Sequence, residues 1–164
     1  MTTLSNASMQ AINHQLTTGS LYVVCMYQLP ELFPWMDWPG LIVALIAALL
    51  PDVDHHKSRV GRLVPFISIP LHALLGHRGA LHSLLAAVGL YYLAQSLSLP
   101  YINALVFGYL LHLVGDMATK AGVNLFWPFG QRYHLPLKVA RNGLVEWLTT
   151  ASCVLLMGWT VWTN

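Results

Sequence analysis

Charge is what this sequence has least of. Asp, Glu, Lys and Arg together make up 9 % of its 164 residues, against about a quarter in an ordinary soluble domain. Hydrophobic residues reach 56 %. A chain this small with so few charges cannot cover a globular core with a solvated surface. A disordered chain is excluded too, since that state needs low hydrophobicity and high charge. The net charge of only +2 speaks against a nucleic-acid binder, whose phosphate contacts demand basic residues in quantity. What remains is an integral membrane protein.

Cysteine is nearly as scarce. Cys25 and Cys153 lie far apart in apolar stretches, with no CxxC and no disulfide framework. They read as small hydrophobes in helices. The first ten residues contain no Lys or Arg and no short apolar run before a cleavage site, so no removable signal peptide is expected. No repeat or low-complexity stretch divides the chain, and one membrane domain over residues 1–164 is expected.

A spanning helix takes about 20 apolar residues. Segments 81–99, 101–119 and 144–162 meet that requirement. The first two are separated only by a Ser98-Leu99-Pro100-Tyr101 turn and predict a transmembrane hairpin. Segments 16–33 and 38–50 predict a second hairpin, whose turn carries Trp35 and Trp38 as interface residues. Segment 63–75 is too short to span and is broken by Pro65 and Pro70, which predicts a re-entrant or interfacial piece. The fold expected is therefore an all-α polytopic bundle of about five spans.

Basic residues orient it. Lys57, Arg59, Arg62 and Arg78 fall between the hairpins, and Lys120, Arg132, Lys138 and Arg141 between the second hairpin and the last helix. The two turns on the other face have none. Positive charge stays inside, so both basic loops and the N-terminus are expected in the cytoplasm, with the C-terminus outside.

Eight histidines are many for so apolar a chain, and with nearby acids they form three clusters. The first is Pro51-Asp52-Val53-Asp54-His55-His56, where an apolar segment ends. The second is Gly76-His77-Arg78-Gly79-Ala80-Leu81-His82-Ser83. The third pairs His112 with Asp116, four residues apart and hence on one helix face. Hydropathy and charge bring all three to the cytoplasmic ends of their helices. Ionisable groups at membrane depth are costly and normally pair, line water or bind ions. Mixed imidazole and carboxylate donors suit zinc, manganese or iron better than calcium or magnesium. Such an ion makes water a nucleophile near neutral pH. Asp52, Asp54, His55, His77, His82, His112 and Asp116 hold more donors than one tetrahedral site uses, so one or two ions fit.

Blander readings exist for each part. Asp52 and Asp54 can cap the next element, and His112 with Asp116 can form a hydrogen-bonded helix contact. His56, His72 and His134 read as interfacial side chains, and Ser83 as a hydrogen-bonding neighbour of His82.

Leu49-Leu50-Pro51-Asp52-Val53-Asp54-His55, Gly76-His77-Arg78-Gly79 with His82-Ser83, and Gly108-Tyr109-Leu110 with His112 and Asp116 resemble the YdjM-like family. These are bacterial inner-membrane proteins classed from their motifs as metal-dependent hydrolases. The resemblance takes in His14, Gly19, Thr119, Gly122, Trp127-Pro128, Gly143 and Glu146, so it runs along nearly the whole chain. It departs at Ala80-Leu81, where the family often has a Thr. A looser likeness to zinc-dependent phospholipase C-type proteins is an analogy of reaction class. The resemblance implies a metal shell that His14 could join. It also implies two catalytic candidates: Arg78, suited to a phosphate or carboxylate group, and Glu146, as a general base. Arg78 can equally be a membrane anchor, and Glu146 a partner for Arg141 or Lys138.

The expected activity is hydrolysis of a lipid or amphiphile ester or phosphoester at a cytoplasm-facing site holding a divalent transition metal, zinc before manganese or iron. A metal transporter or sensor is one rival. The apolar outer halves of the helices, such as 41–48 and 86–93, argue against a permeation path. A polar cluster that merely staples helices is the other.

Overall fold

The computed structural model describes residues 2–55, 58–75, 79–136 and 143–164, and every regular element among them is a helix. In chain order these are α1 (Thr2–Gln28), α2 (Trp38–Ala47), α3 (Arg59–Leu63), α4 (Pro65–Leu75), α5 (Leu84–Ser96), α6 (Ile102–Met117) and α7 (Leu144–Thr163). Two single turns of 3₁₀ helix, Pro51–Asp54 and Ala80–His82, precede α3 and α5. One isolated bridge joins Val123 to Tyr133.

The helix boundaries follow from caps. Asp37 Oδ1 accepts from the Gly40 amide (2.7 Å) to open α2, with Pro39 in the first turn, where its missing N–H costs nothing. Ser83 opens α5, accepting from the Ala86 amide at 3.2 Å and donating to the Ala80 carbonyl at 2.6 Å. Such caps make the helices shorter than the apolar runs. α5 has 13 residues and α6 has 16, about 20 and 24 Å at 1.5 Å per residue. Hydropathy counts apolar turn residues that caps exclude. The first helix differs the other way: it begins at Thr2, well before the expected residue 16, because a polar helical start leaves no hydropathy signal. Among the described helices α7 is the one both long and apolar enough to cross a bilayer.

Small residues set the packing. Gly40, Ala44 and Ala47 of α2 are buried, as are Ala104, Gly108 and His112 of α6. A Cβ at Gly108 would come within 2.1 Å of the Ala44 carbonyl oxygen, so the two backbones approach as closely as glycine permits. Tyr22 of α1 fills the space beside them, edge-on to Phe107 at 5.8 Å and to Trp35 at 6.4 Å. Asn13 of α1 meets Glu146 of α7, and Thr17 meets Thr150, so these two helices run parallel. Against α6 the register is reversed, with His14 beside Asp116 and Tyr22 beside Phe107. The C-terminal ends of α2 and α6 therefore lie level with the middle of α1 and the start of α7.

Candidate metal centre

That level is where the histidines and acids meet. α6 supplies His112 and Asp116, each 1 % exposed, one turn apart on its inner face. α2 stops at Ala47, and the next carbonyl, of Ala48, accepts a hydrogen bond from His112 Nδ1 at 2.7 Å. A carbonyl has no proton to give, so Nδ1 carries the hydrogen and Nε2 keeps its lone pair. That Nε2 is buried and makes no hydrogen bond.

The two 3₁₀ turns bring the rest. Pro51–Asp54 presents Asp52 and Asp54, and its backbone is braced from two sides. Ser58 Oγ donates to the Asp52 carbonyl (2.7 Å), and His72 Nδ1 meets the Asp54 carbonyl at 3.0 Å. Ala80–His82 presents His82, fully buried, and the Tyr109 hydroxyl donates to the Leu81 carbonyl to tie that turn to α6.

His82 and His112 face the same pair of carboxylates. His82 Nε2 is 3.3 Å from Asp116 Oδ2 and 4.0 Å from Asp52 Oδ1. His112 Nε2 is 3.7 and 4.0 Å from the same two oxygens. The Nδ1 side of His82 meets Asp54 Oδ2 at 3.4 Å. His14 approaches from α1, with Nε2 3.5 Å from Asp116 Oδ1 and its ring stacked on His112 at 4.5 Å. A Cβ on Gly115 would fall 2.6 Å from the His14 ring, so that residue leaves the space the imidazole fills.

Two overlapping sets of donors can each hold an ion: His14, His112 and Asp116, and Asp52, His82 and His112. The arrangement fits a transition metal. A tetrahedral zinc with arms of about 2.0–2.1 Å has donor–donor edges near ~3.3 Å. The four histidine–carboxylate separations among His82, His112, Asp52 and Asp116 run from 3.3 to 4.0 Å. Both central histidines also turn their second ring nitrogen to an oxygen, the Asp54 carboxylate for one and the Ala48 carbonyl for the other. Metal-bound histidines are oriented in this way.

Of the residues singled out by sequence, the structure brings His14, Asp52, Asp54, His82, His112 and Asp116 together. His55 instead stacks on His72, with ring centroids 6.3 Å apart. His77, Arg78 and His56 lie outside the described residues, as do Lys138 and Arg141, the partners considered for Glu146. Glu146, in the first turn of α7, accepts from Asn13 Nδ2 at 2.9 Å. His134 Nδ1 lies 3.4 Å from the Thr119 carbonyl. Sequence reasoning missed Asn13, whose only signal was its place next to His14. It also read His72 as interfacial, whereas His72 braces the turn that carries the two aspartates.

Fold and site together define an all-α protein with a buried His/Asp cluster that could hold a metal ion. The sequence matches the family model of the YdjM inner membrane protein over residues 9–163, and the chain belongs to that family. It is 40 % identical over 134 residues to the inner membrane protein YdjM of Escherichia coli strain K12, covering 77 % of this chain and 67 % of that protein. The inner membrane protein YdjM of Shigella flexneri gives the same figures. The uncharacterized protein YvsG of Bacillus subtilis strain 168 is 33 % identical over 113 residues, 67 % of this chain and 70 % of its own length. No solved structure matches the chain.

Proposed function

We propose that this chain is a membrane-embedded metallohydrolase whose centre faces the cytoplasm and cleaves an ester or phosphoester of a lipid or amphiphile. The observation that carries the reading is the convergence of His82 Nε2 and His112 Nε2 on Asp52 and Asp116, with the opposite ring nitrogens turned to oxygens. In this reading the chain is one five-span membrane domain with its N-terminus inside. α4 lies at the interface, with Phe66, Ile67, Ile69 and Leu74 exposed.

Asp52, His82, His112 and Asp116 would hold the ion. A divalent transition ion, zinc first, supplies Lewis-acid chemistry there, activating water and polarising the ester oxygen. Asp54 orients His82, and Ala48 orients His112. His14 closes one side through Asp116. His112 has one nitrogen for an ion, because the other donates to Ala48, so the two donor sets share it and one ion per chain is expected. Glu146 is placed near His14 to accept a proton, and Arg78, four residues before His82 in sequence, is assigned to a phosphoryl or carboxyl oxygen by its bidentate fork.

Purified protein should carry about one zinc per chain by elemental analysis, a single tetrahedral site's complement. His112→Ala and Asp116→Ala should lose the zinc while remaining inserted, and His134→Ala should keep it. On a native phospholipid mixture, wild type should release product only without chelator. Arg78→Lys should keep zinc but lose turnover, by about 10²-fold as when one oxyanion donor is removed. Bound zinc with no cleavage of any ester would leave a metal-binding membrane protein. No zinc in wild type would leave a helix staple.

A further inference from the structure

Next to the donor cluster, α1, α6 and α7 enclose a cavity of about 210 Å³. His14 lines it, and the same ring stacks on His112 and comes within 3.5 Å of Asp116. Val114 and Thr149, both exposed, line its outer side. A volume below the roughly 300–1,000 Å³ of drug-sized pockets suits a headgroup rather than a whole lipid.

Its polar lining is specific. Asn13 is 3 % exposed, and its Nδ2 donates to Glu146 Oε1 at 2.9 Å. A carboxylate in that position accepts, so the bond fixes which end of the amide is which. The other end, Asn13 Oδ1, is buried with no hydrogen-bond partner. A buried carbonyl oxygen left without a donor is costly, and native structures rarely retain one without a reason. Around it stand the Glu146 carboxylate and the hydroxyls of Thr17 and Thr150, 3.4 Å apart. The group that fits therefore brings hydrogen-bond donors of its own.

We propose that this cavity binds a hydroxyl-rich headgroup, a glycerol-like polyol, with one hydroxyl donating to Asn13 Oδ1. The assignment rests on the metallohydrolase reading for its substrate role, because the polyol then sits against His14, which also touches the donor cluster. The geometry asks for neutral hydroxyls beside Glu146 and gives the headgroup its orientation before any chemistry occurs.

The test uses full-length protein in detergent and two uncleavable probes, octadecenyl glycerol ether and octadecenyl methyl ether. The glycerol ether should raise the melting temperature by several degrees, while the methyl ether should not. Asn13→Leu should need about tenfold more glycerol ether for the same shift, the effect of one lost hydrogen bond. If that variant does not accumulate, Thr149→Phe places a ring at the outer side and leaves the Asn13–Glu146 pair intact; it should show the same loss. Equal response to both ethers, no response, or an undiminished response in the variants overturns the polyol site. Zinc is measured on the same samples. Zinc without discrimination between the ethers overturns the cavity assignment alone, and discrimination without zinc overturns the metal reading and leaves the polyol site standing.

Discussion

Asp52 and Asp54 sit two residues apart and meet opposite sides of one imidazole. Asp52 lies 4.0 Å from His82 Nε2, and Asp54 lies 3.4 Å from Nδ1. Two-thirds of a turn of 3₁₀ helix separates a candidate ligand from the group that aims its neighbour. Asp54→Asn should therefore weaken zinc about 10–100-fold without abolishing it, the usual cost of losing an outer partner of a ligating histidine. Competition with a chromophoric chelator measures this, and unchanged affinity would remove Asp54 from the site. The two aspartates could not be told apart from sequence, where both simply follow Pro51. His112 with Asp116 was legible, because a spacing of four puts both on one face whatever the fold. Ala48 was not legible at all: its contribution is a backbone carbonyl, which every residue has.

At the scale of elements, the centre depends on how near α2 comes to α6. The Ala48 carbonyl reaches His112 because Gly108 lets the helices touch at Ala44. Gly108→Val should force them apart and destabilise the protein by about 1–3 kcal/mol, as overpacking does elsewhere. It should also weaken zinc by moving the carbonyl away from Nδ1. Gly89→Val is the control, since nothing lies within 4 Å of a Cβ there. Melting curves and zinc titration of the two variants separate contact from composition. Equal behaviour would show that the α2–α6 approach does not matter. Sequence placed α2, α5, α6 and α7 within a few residues of their segments because apolar runs and prolines bound them. It missed the first half of α1, whose polar residues are as helical as its apolar ones. The approach of α1 to Asp116, which makes His14 a neighbour of the centre, lay in a packing register that no single segment encodes.

For the whole molecule, direction matters more than length. α1 and α7 run together, α2 and α6 run against them, and the donors gather at one level. The five-pass topology proposed from the basic loops is tested by reporters. A reporter fused after Asn164 should then behave as periplasmic, and one inserted at the exposed Gly130 as cytoplasmic. The reverse pattern would turn the centre to the other compartment and withdraw its access to the inner leaflet.

Asp52, His82 and His112 are 30 residues apart in each step, and each rides on a different stretch of chain. No two of those stretches complete the centre. During synthesis the donors become available one by one, and Asp116 is the last of them in the chain. A ribosome-bound chain that ends just after the first 3₁₀ turn holds His14, Asp52 and Asp54 of the cluster but lacks His82, His112 and Asp116. An ion held as proposed would thus be acquired late in biogenesis, once α6 has joined α2. The order of the sequence itself would then guard against loading an unfinished chain.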